Sequence, residues 1–349
     1  MSGLYLAHQL EQLGHKVTVL EARDRAGGRI LSEKIDADQN ANVDLGPAWV
    51  WPQLQPRLSR LLDELNIEVF EQFTAGDMLY QQHDGTVQRY SGQSAHVQSY
   101  RIVGGAQLLV NELVNNLRKT TIELDTIVKS INAKTKIITA EKHNDVIEIS
   151  ADRVITAIPL RLLAESVQIQ PDLEPNIISE WQSIPTWMAG HCKIMFSYDA
   201  PFWREQGLSG EVFSHRGPLS EIYDGTPFSE NALSLGCVLT SFIGINAFQR
   251  RQLSQSQLID ACLSQLENLF GTQARKVKQV IVKDWSDEIF TTTESDLAGP
   301  HLHPHYEASM PRQFFDAYLS IAGTEAATEY GGYIEGALES ADAVLTIFS

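Results

Sequence analysis

Glu21–Arg29 reads E-A-R-D-R-A-G-G-R, and this run with its flanks decides the fold. Immediately before it, His15–Ala22 (HKVTVLEA) is dense in β-branched residues, which predicts a strand buried on both faces of a parallel sheet. Earlier still, Ser2–Leu13 repeats Leu4, Ala7, Leu10 and Leu13 at helical spacing and stops at Gly14, a usual helix terminator. The chain therefore opens helix then strand. Glu21 ends that strand, where a carboxylate can accept hydrogen bonds from both hydroxyls of a ribose. Ala22 continues the turn, Gly27 and Gly28 let the backbone approach phosphates, and Arg23 and Arg29 offer planar donors. Gly3 sits where the third glycine of G-x-G-x-x-G packs helix against strand. The strand and the two glycines that normally precede it would lie ahead of Met1, so the sequence predicts a sheet with its first strand missing, unpaired edges and weak cofactor binding.

Moving outward, Asn42–Trp51 (NVDLGPAWVW) reads as a short strand and turn, and Pro56–Leu65 as an amphipathic helix with Leu58, Leu61, Leu62 and Leu65 on one side. Polar hairpins are expected across Gly76–Gly92, a glycine turn and helix across Val103–Leu117, and alternating strands from Ile122 to Ser150. Val154–Ile158 is a strand stopped by Pro159. The stretch from Glu165 to Asp284, with a strand at Lys193–Ser197 and a helix at Ser256–Leu269, has the look of a separate lobe. The end returns to the first lobe through a strand at Leu319–Ala322, a loop at Gly323–Gly332 and a helix at Tyr333–Ile347. The expected class is α/β: a discontinuous Rossmann-like domain (1–60, 101–162 and 283–349) and a second, α+β substrate lobe (61–100 and 163–282).

Composition narrows the partners. The chain has 349 residues, 43% hydrophobic, enough for a sizeable core. A net charge of -17 with no long Lys/Arg run argues against nucleic acid and anionic lipid surfaces. Cys192, Cys237 and Cys262 are odd in number and widely spaced, as expected of reduced core thiols. No apolar run is long enough to span a bilayer and no signal-peptide pattern opens the chain, so a cytoplasmic location is expected; oligomeric state is left open.

The E-A-R-D-R-A-G-G-R run resembles that of the flavin-containing amine oxidases, the family of the monoamine and polyamine oxidases. The resemblance extends along nearly the whole chain. DLGPAWVW (Asp44–Trp51) is similar to the family's second flavin loop, which assigns Gly46, Pro47, Ala48 and Trp49 to the cofactor. RIVGGAQ (Arg101–Gln107) is similar to its return into the flavin domain. Val128 matches the position whose backbone meets adenine. IAGTEAATEYGGYIEGALES (Ile321–Ser340) is similar to the family's C-terminal flavin signature, which implies that Gly323, Thr324 and Glu325 meet the ribityl chain and phosphates, and that Tyr333 and Ile334 sit against the isoalloxazine. FAD is the implied cofactor and a small-molecule amine the implied substrate.

The same resemblance marks Lys193, eight residues before Pro201, as the lysine linked by water to flavin N5, and Trp285 as a tryptophan ahead of the ring. A fixed ammonium can order a proton-relaying water there. Departures are equally specific. Nine residues after Trp285 stands Glu294 where the monoamine oxidases carry the cysteine that attaches flavin, so noncovalent FAD is implied. Tyr333 supplies one ring of the family's aromatic pair, but the other position is Ser295, with Tyr330 a partial substitute. The short stretch between Trp51 and Arg101 implies a small or open roof. A flavin desaturase or dehydrogenase on a nonamine substrate, or a chain unable to hold flavin, stays open. His301, His303 and His305 (H-x-H-x-H) are interrupted by prolines, and no metal is assigned to them.

Overall fold

The computed structural model describes residues 1–35, 41–91, 97–228, 237–297, 303, 304, 306 and 312–348. A helix, Ser2–Gln12, opens the chain, turning its apolar stripe of Leu4, Leu6, Ala7 and Leu10 inward. Gly14, at φ +88°, releases the chain into the strand Thr18–Leu20. A Cβ on Gly3 would stand 3.3 Å from Ala157 Cβ, so glycine allows the helix to approach the Val154–Thr156 strand closely.

The parallel sheet of this lobe is in two pieces. Thr18–Leu20 pairs in parallel with Thr121–Glu123, while Val154–Thr156 pairs in parallel with Leu319–Ile321. Among the described residues no strand stands between Thr18–Leu20 and Val154–Thr156, and both line one cavity. This corrects one expectation. His15–Ala22 is not buried on both faces: Thr18 is exposed and Val19 and Leu20 are half-buried, because the strand has a neighbour on one edge and open space on the other.

Distant carboxylates tie the segments together at helix starts, where backbone N–H groups lack partners. Glu335, fully buried, accepts from the N–H groups of Arg57 (3.1 Å) and Leu58 (2.8 Å), fastening the Pro56–Glu64 helix to the C-terminal helix Ile334–Leu345. Asp44 Oδ1 accepts from Ala106 N (2.7 Å) and from Ser32 Oγ (2.6 Å), and Ser32 Oγ accepts from Gln107 N (3.0 Å). The helix Gln107–Asn116 is thereby set against the Asn42–Asp44 strand, across a turn in which Gly104 and Gly105 take φ +82° and +87°.

The remainder is dominated by one seven-stranded sheet. Its order is Gln279–Asp284, Cys192–Tyr198, Cys237–Ile243, Leu219–Asp224, Leu208–Ser214, Asp77–Gln81 and Val87–Tyr90. The last two strands are the hairpin expected from Gly76–Gly92, here an edge of the larger sheet. One face packs on the helix Gln255–Phe270, whose start is a capping box between Ser254 and Gln257. The other face looks toward the first lobe.

Candidate functional site

Sheet register places a row of side chains on that second face. Lys193 pairs with Phe242 and Phe242 with Glu221; one step along, Met195 pairs with Thr240 and Thr240 with Tyr223. Alternate residues of a strand share a face, so Lys193, Phe242, Thr240, Glu221 and Tyr223 all project the same way. Opposite them lies Gly46–Trp49, the loop after Asn42–Asp44. Lys193, only 3% exposed, donates from Nζ to the Gly46 carbonyl at 3.0 Å, with its ammonium 5.9 Å from the Trp49 ring and 5.6 Å from that of Phe242. Burial lowers its pKa to about 8; Asp44 opposes that shift and Arg101 adds to it. Trp285 is buried and donates from Nε1 to the Leu45 carbonyl at 2.9 Å, holding the same loop from the other side.

Lys193, Glu221, Tyr223, Phe242, Trp285 and the Gly46–Trp49 loop wall one continuous cavity of about 1780 Å³. Its lining takes in Gly3, Glu21, Ala22, Arg23, Gly27, Gly28, Arg29, Gly46, Pro47, Ala48, Trp49, Val128, Lys193, Trp285, Thr324, Tyr333 and Ile334. The space exceeds the few hundred to about 1,000 Å³ of an ordinary ligand pocket. It runs from the substrate-lobe sheet, past the Glu21–Arg29 turn, into the slot between the two sheet pieces.

Three assigned residues are not in the wall. Gly323 packs behind it, where a Cβ would lie 3.1 Å from the Ile158 carbonyl oxygen. Glu325 is buried, its Oε1 accepting from Arg29 Nη2 at 2.6 Å, while its Oε2 has no hydrogen-bond partner. Tyr330 contributes its backbone to the turn before the last helix, its carbonyl accepting from Tyr333 N at 3.1 Å. Arg23 is in the wall but is engaged by protein: Nε donates to Glu288 (3.2 Å) and Nη2 to Thr291 (2.7 Å). The turn after Trp285 thus brings Arg23 a carboxylate and a hydroxyl. Glu21 lines the cavity, with Oε1 accepting from Arg23 N at 3.0 Å.

Sequence reading missed several features. Glu211 and Tyr223 line the cavity from the sheet, and burial raises the Glu211 carboxyl to about 7. His303, singled out only within H-x-H-x-H, stacks on Tyr333 with ring centres 5.3 Å apart and planes 20° apart. Trp51 meets the same Tyr333 ring edge-on, with centres 6.3 Å apart. His301 and His305 lie outside the described residues, among which no group of three metal-ligating side chains occurs. Glu211 and Tyr223 left no signal in spacing; each is one residue within a strand, unremarkable until its face is known.

A split parallel sheet with a glycine-bearing turn at its strand end, capped by a mixed sheet over one long cavity, defines a two-lobed dinucleotide-cofactor protein. The residues fit FAD: Gly27 and Gly28 at φ +107° and +61° flank the turn, and the buried unpaired Glu325 Oε2 sits directly behind the cofactor wall. The match to the family model described as flavin containing amine oxidoreductase covers residues 1–98 and 86–344, and the chain belongs to that family. It is 23% identical to a putrescine oxidase of Kocuria rosea over 86% of this chain and 84% of that protein. It is 22% identical to an L-amino acid dehydrogenase of Synechocystis over 98% of this chain and 92% of that one. The putrescine alignment extends over 419 positions against 349 residues here, so the relative carries segments that this shorter chain lacks. A solved putrescine oxidase bound to putrescine superposes with a TM-score of 0.80 at 21% identity, covering 99% of this chain and 96% of that one. The protein is a flavin-dependent amine oxidoreductase whose cofactor is FAD. No helix among the described residues is long and apolar enough to cross a membrane.

Proposed function

We propose that the chain oxidises a small amine at the carbon next to nitrogen and is reoxidised by O2 with release of H2O2. The observation that carries this reading is the continuity of one cavity from the Glu21–Arg29 turn to the aromatic wall of Trp49, Tyr223, Phe242 and Tyr333. When bound, FAD would supply the two-electron acceptor for the substrate's hydride equivalent. The protein supplies position and electrostatics. Glu21 holds the ribose, the backbone at Ala22, Gly27 and Gly28 with Arg29 the phosphates, and Val128 the adenine. Gly46–Trp49, Thr324 and Ile334 support the ring, with Gly323 and Glu325 bracing them from behind. Lys193 orders a water at the reacting edge, Trp285 fixes the loop above it, and Tyr333, backed by His303, faces the substrate nitrogen; Tyr330 shapes the turn that presents Tyr333. In this reading 1–60, 101–162 and 283–349 form the FAD domain and 61–100 and 163–282 the substrate lobe, in a cytoplasmic protein with no nucleic acid or membrane partner.

An amine panel run with peroxide detection tests the reading. Amine-dependent flavin bleaching with stoichiometric peroxide is expected, and failure of every amine to reduce the flavin would overturn it. A second reading, a dehydrogenase passing electrons to another acceptor, is favoured by the Synechocystis relative; bleaching without peroxide, relieved by an artificial acceptor, would select it. Acid precipitation should release the flavin intact into the supernatant, since Glu294 cannot form a thioether.

A further inference from the structure

Beside the large cavity lies a second one of about 10 Å³, bounded by Asp44, Arg101, Lys193 and Thr240 among others. That is about the space of one water molecule, which needs two or more polar partners to reside in a protein interior. Two partners are present and unused. Asp44 is 1% exposed and Thr240 5%, and Asp44 Oδ2 and Thr240 Oγ1 are buried without a hydrogen bond. A buried carboxylate oxygen left unpaired is unfavourable, and so is a buried hydroxyl. Asp44 Oδ1, by contrast, is fully occupied by Ala106 N and Ser32 Oγ, which fixes the carboxylate plane and aims Oδ2 away from those donors. Lys193 is in the walls of both cavities, so the small one adjoins the ammonium that faces the large one.

We propose that Asp44 is the positioning residue for Lys193: one water held between Asp44 Oδ2 and Thr240 Oγ1 couples the carboxylate to the lysine and keeps it a fixed cation. Of the charged groups around Lys193, Asp44 favours its protonated form and Arg101 opposes it; Lys283, its cross-strand partner on Gln279–Asp284, is paired with Glu288. Arg101 is itself buried and donates to the Thr226 carbonyl at 3.0 Å, so it cannot swing away. With Asp44 neutralised, Arg101 and burial act unopposed, and Lys193 loses its proton at lower pH. The coupling is a property of the folded chain. Its consequence for catalysis rests on the role given to Lys193 above.

The coupling is read without turnover by NMR titration of protein carrying ¹³Cε-lysine, the Lys193 signal being the one lost in Lys193→Arg. Asp44→Asn keeps an acceptor for Ala106 and Ser32 and removes only the charge. It should lower the Lys193 midpoint by about one pH unit or more, and Thr240→Val, which removes the other anchor of the water, should lower it by a smaller step. A midpoint unchanged in both variants overturns the proposal. If Asp44→Asn does not fold, Thr240→Val decides alone, together with a crystal structure in which the water is expected between the two side chains in the parent and absent in the variant. Stopped-flow flavin reduction across pH separates the two layers. A moved lysine midpoint with an unmoved pH profile leaves the coupling standing and overturns the catalytic role of Lys193.

Discussion

The two lobes reach order by different routes. In the substrate lobe, Cys192–Tyr198 is buried at every position, has neighbours on both edges, and belongs to a core of Phe196, Trp203, Val212 and Leu239. In the cofactor lobe, Thr18–Leu20 and Val154–Thr156 are three-residue strands, each with an edge toward the cavity. A strand paired on both edges and covered on both faces is held by the protein's own contacts. A strand with one free edge owes more of its order to whatever occupies the space beside it. The lobe that handles the cofactor is therefore the one whose backbone is held open, and the lobe that shapes the substrate end is the one with a closed core.

The largest effect should fall in the closed core. Phe196→Ala, at 0% exposure, should cost about 3–5 kcal/mol in urea unfolding, while Val19→Ala on the open strand should cost less than about 1.5 kcal/mol. Equal costs would break the contrast. Next, FAD at a hundred times its dissociation constant should add about 2.7 kcal/mol of stability. Hydrogen exchange should then slow at residues 17–22 and 154–158 with little change at 192–198; uniform protection would mean that the lobes respond as one. Glu21→Ala should weaken FAD binding by about 1–3 kcal/mol in titrations of apoprotein, and an unchanged affinity would reduce Glu21 to a strand end.

The smallest effect is a pH dependence located in the closed lobe. The folded-state pKa of Glu211 is raised to about 7 from its ordinary 4.5, so between those values the folded state binds the proton more tightly than the unfolded state does. The resulting contribution is present in full below pH 4.5 and is lost as pH rises through 7. Glu211→Gln should remove this slope and leave the variant more stable than the parent at pH 8 by about 1–2 kcal/mol, read from thermal melts across pH. A parent curve that is flat through this range would mean that Glu211 lies in a wetter wall than its burial indicates.

The sequence alone carried the local features: the opening helix, the Glu21–Arg29 turn, the glycine-flanked helix at 107–116 and the long helix at 255–270 all appear within a few residues of their expected bounds. Short-range patterns report such elements because periodicity, capping residues and glycine conformations are set within a turn or two of chain. The cofactor family was legible for a related reason, since a phosphate-approaching turn needs particular residues at fixed spacing. What needed tertiary structure was every relation between distant segments. Arg23 looks available until the turn after Trp285 supplies Glu288 and Thr291. His303 becomes a ring partner of Tyr333 only when its loop is placed over it. Asp44 stands in a recognisable stretch, yet its meeting with Thr240 and Lys193 depends on the packing of a loop on a sheet nearly 150 residues further on. Such meetings are decided by which faces bury together, and no spacing along the chain records that choice.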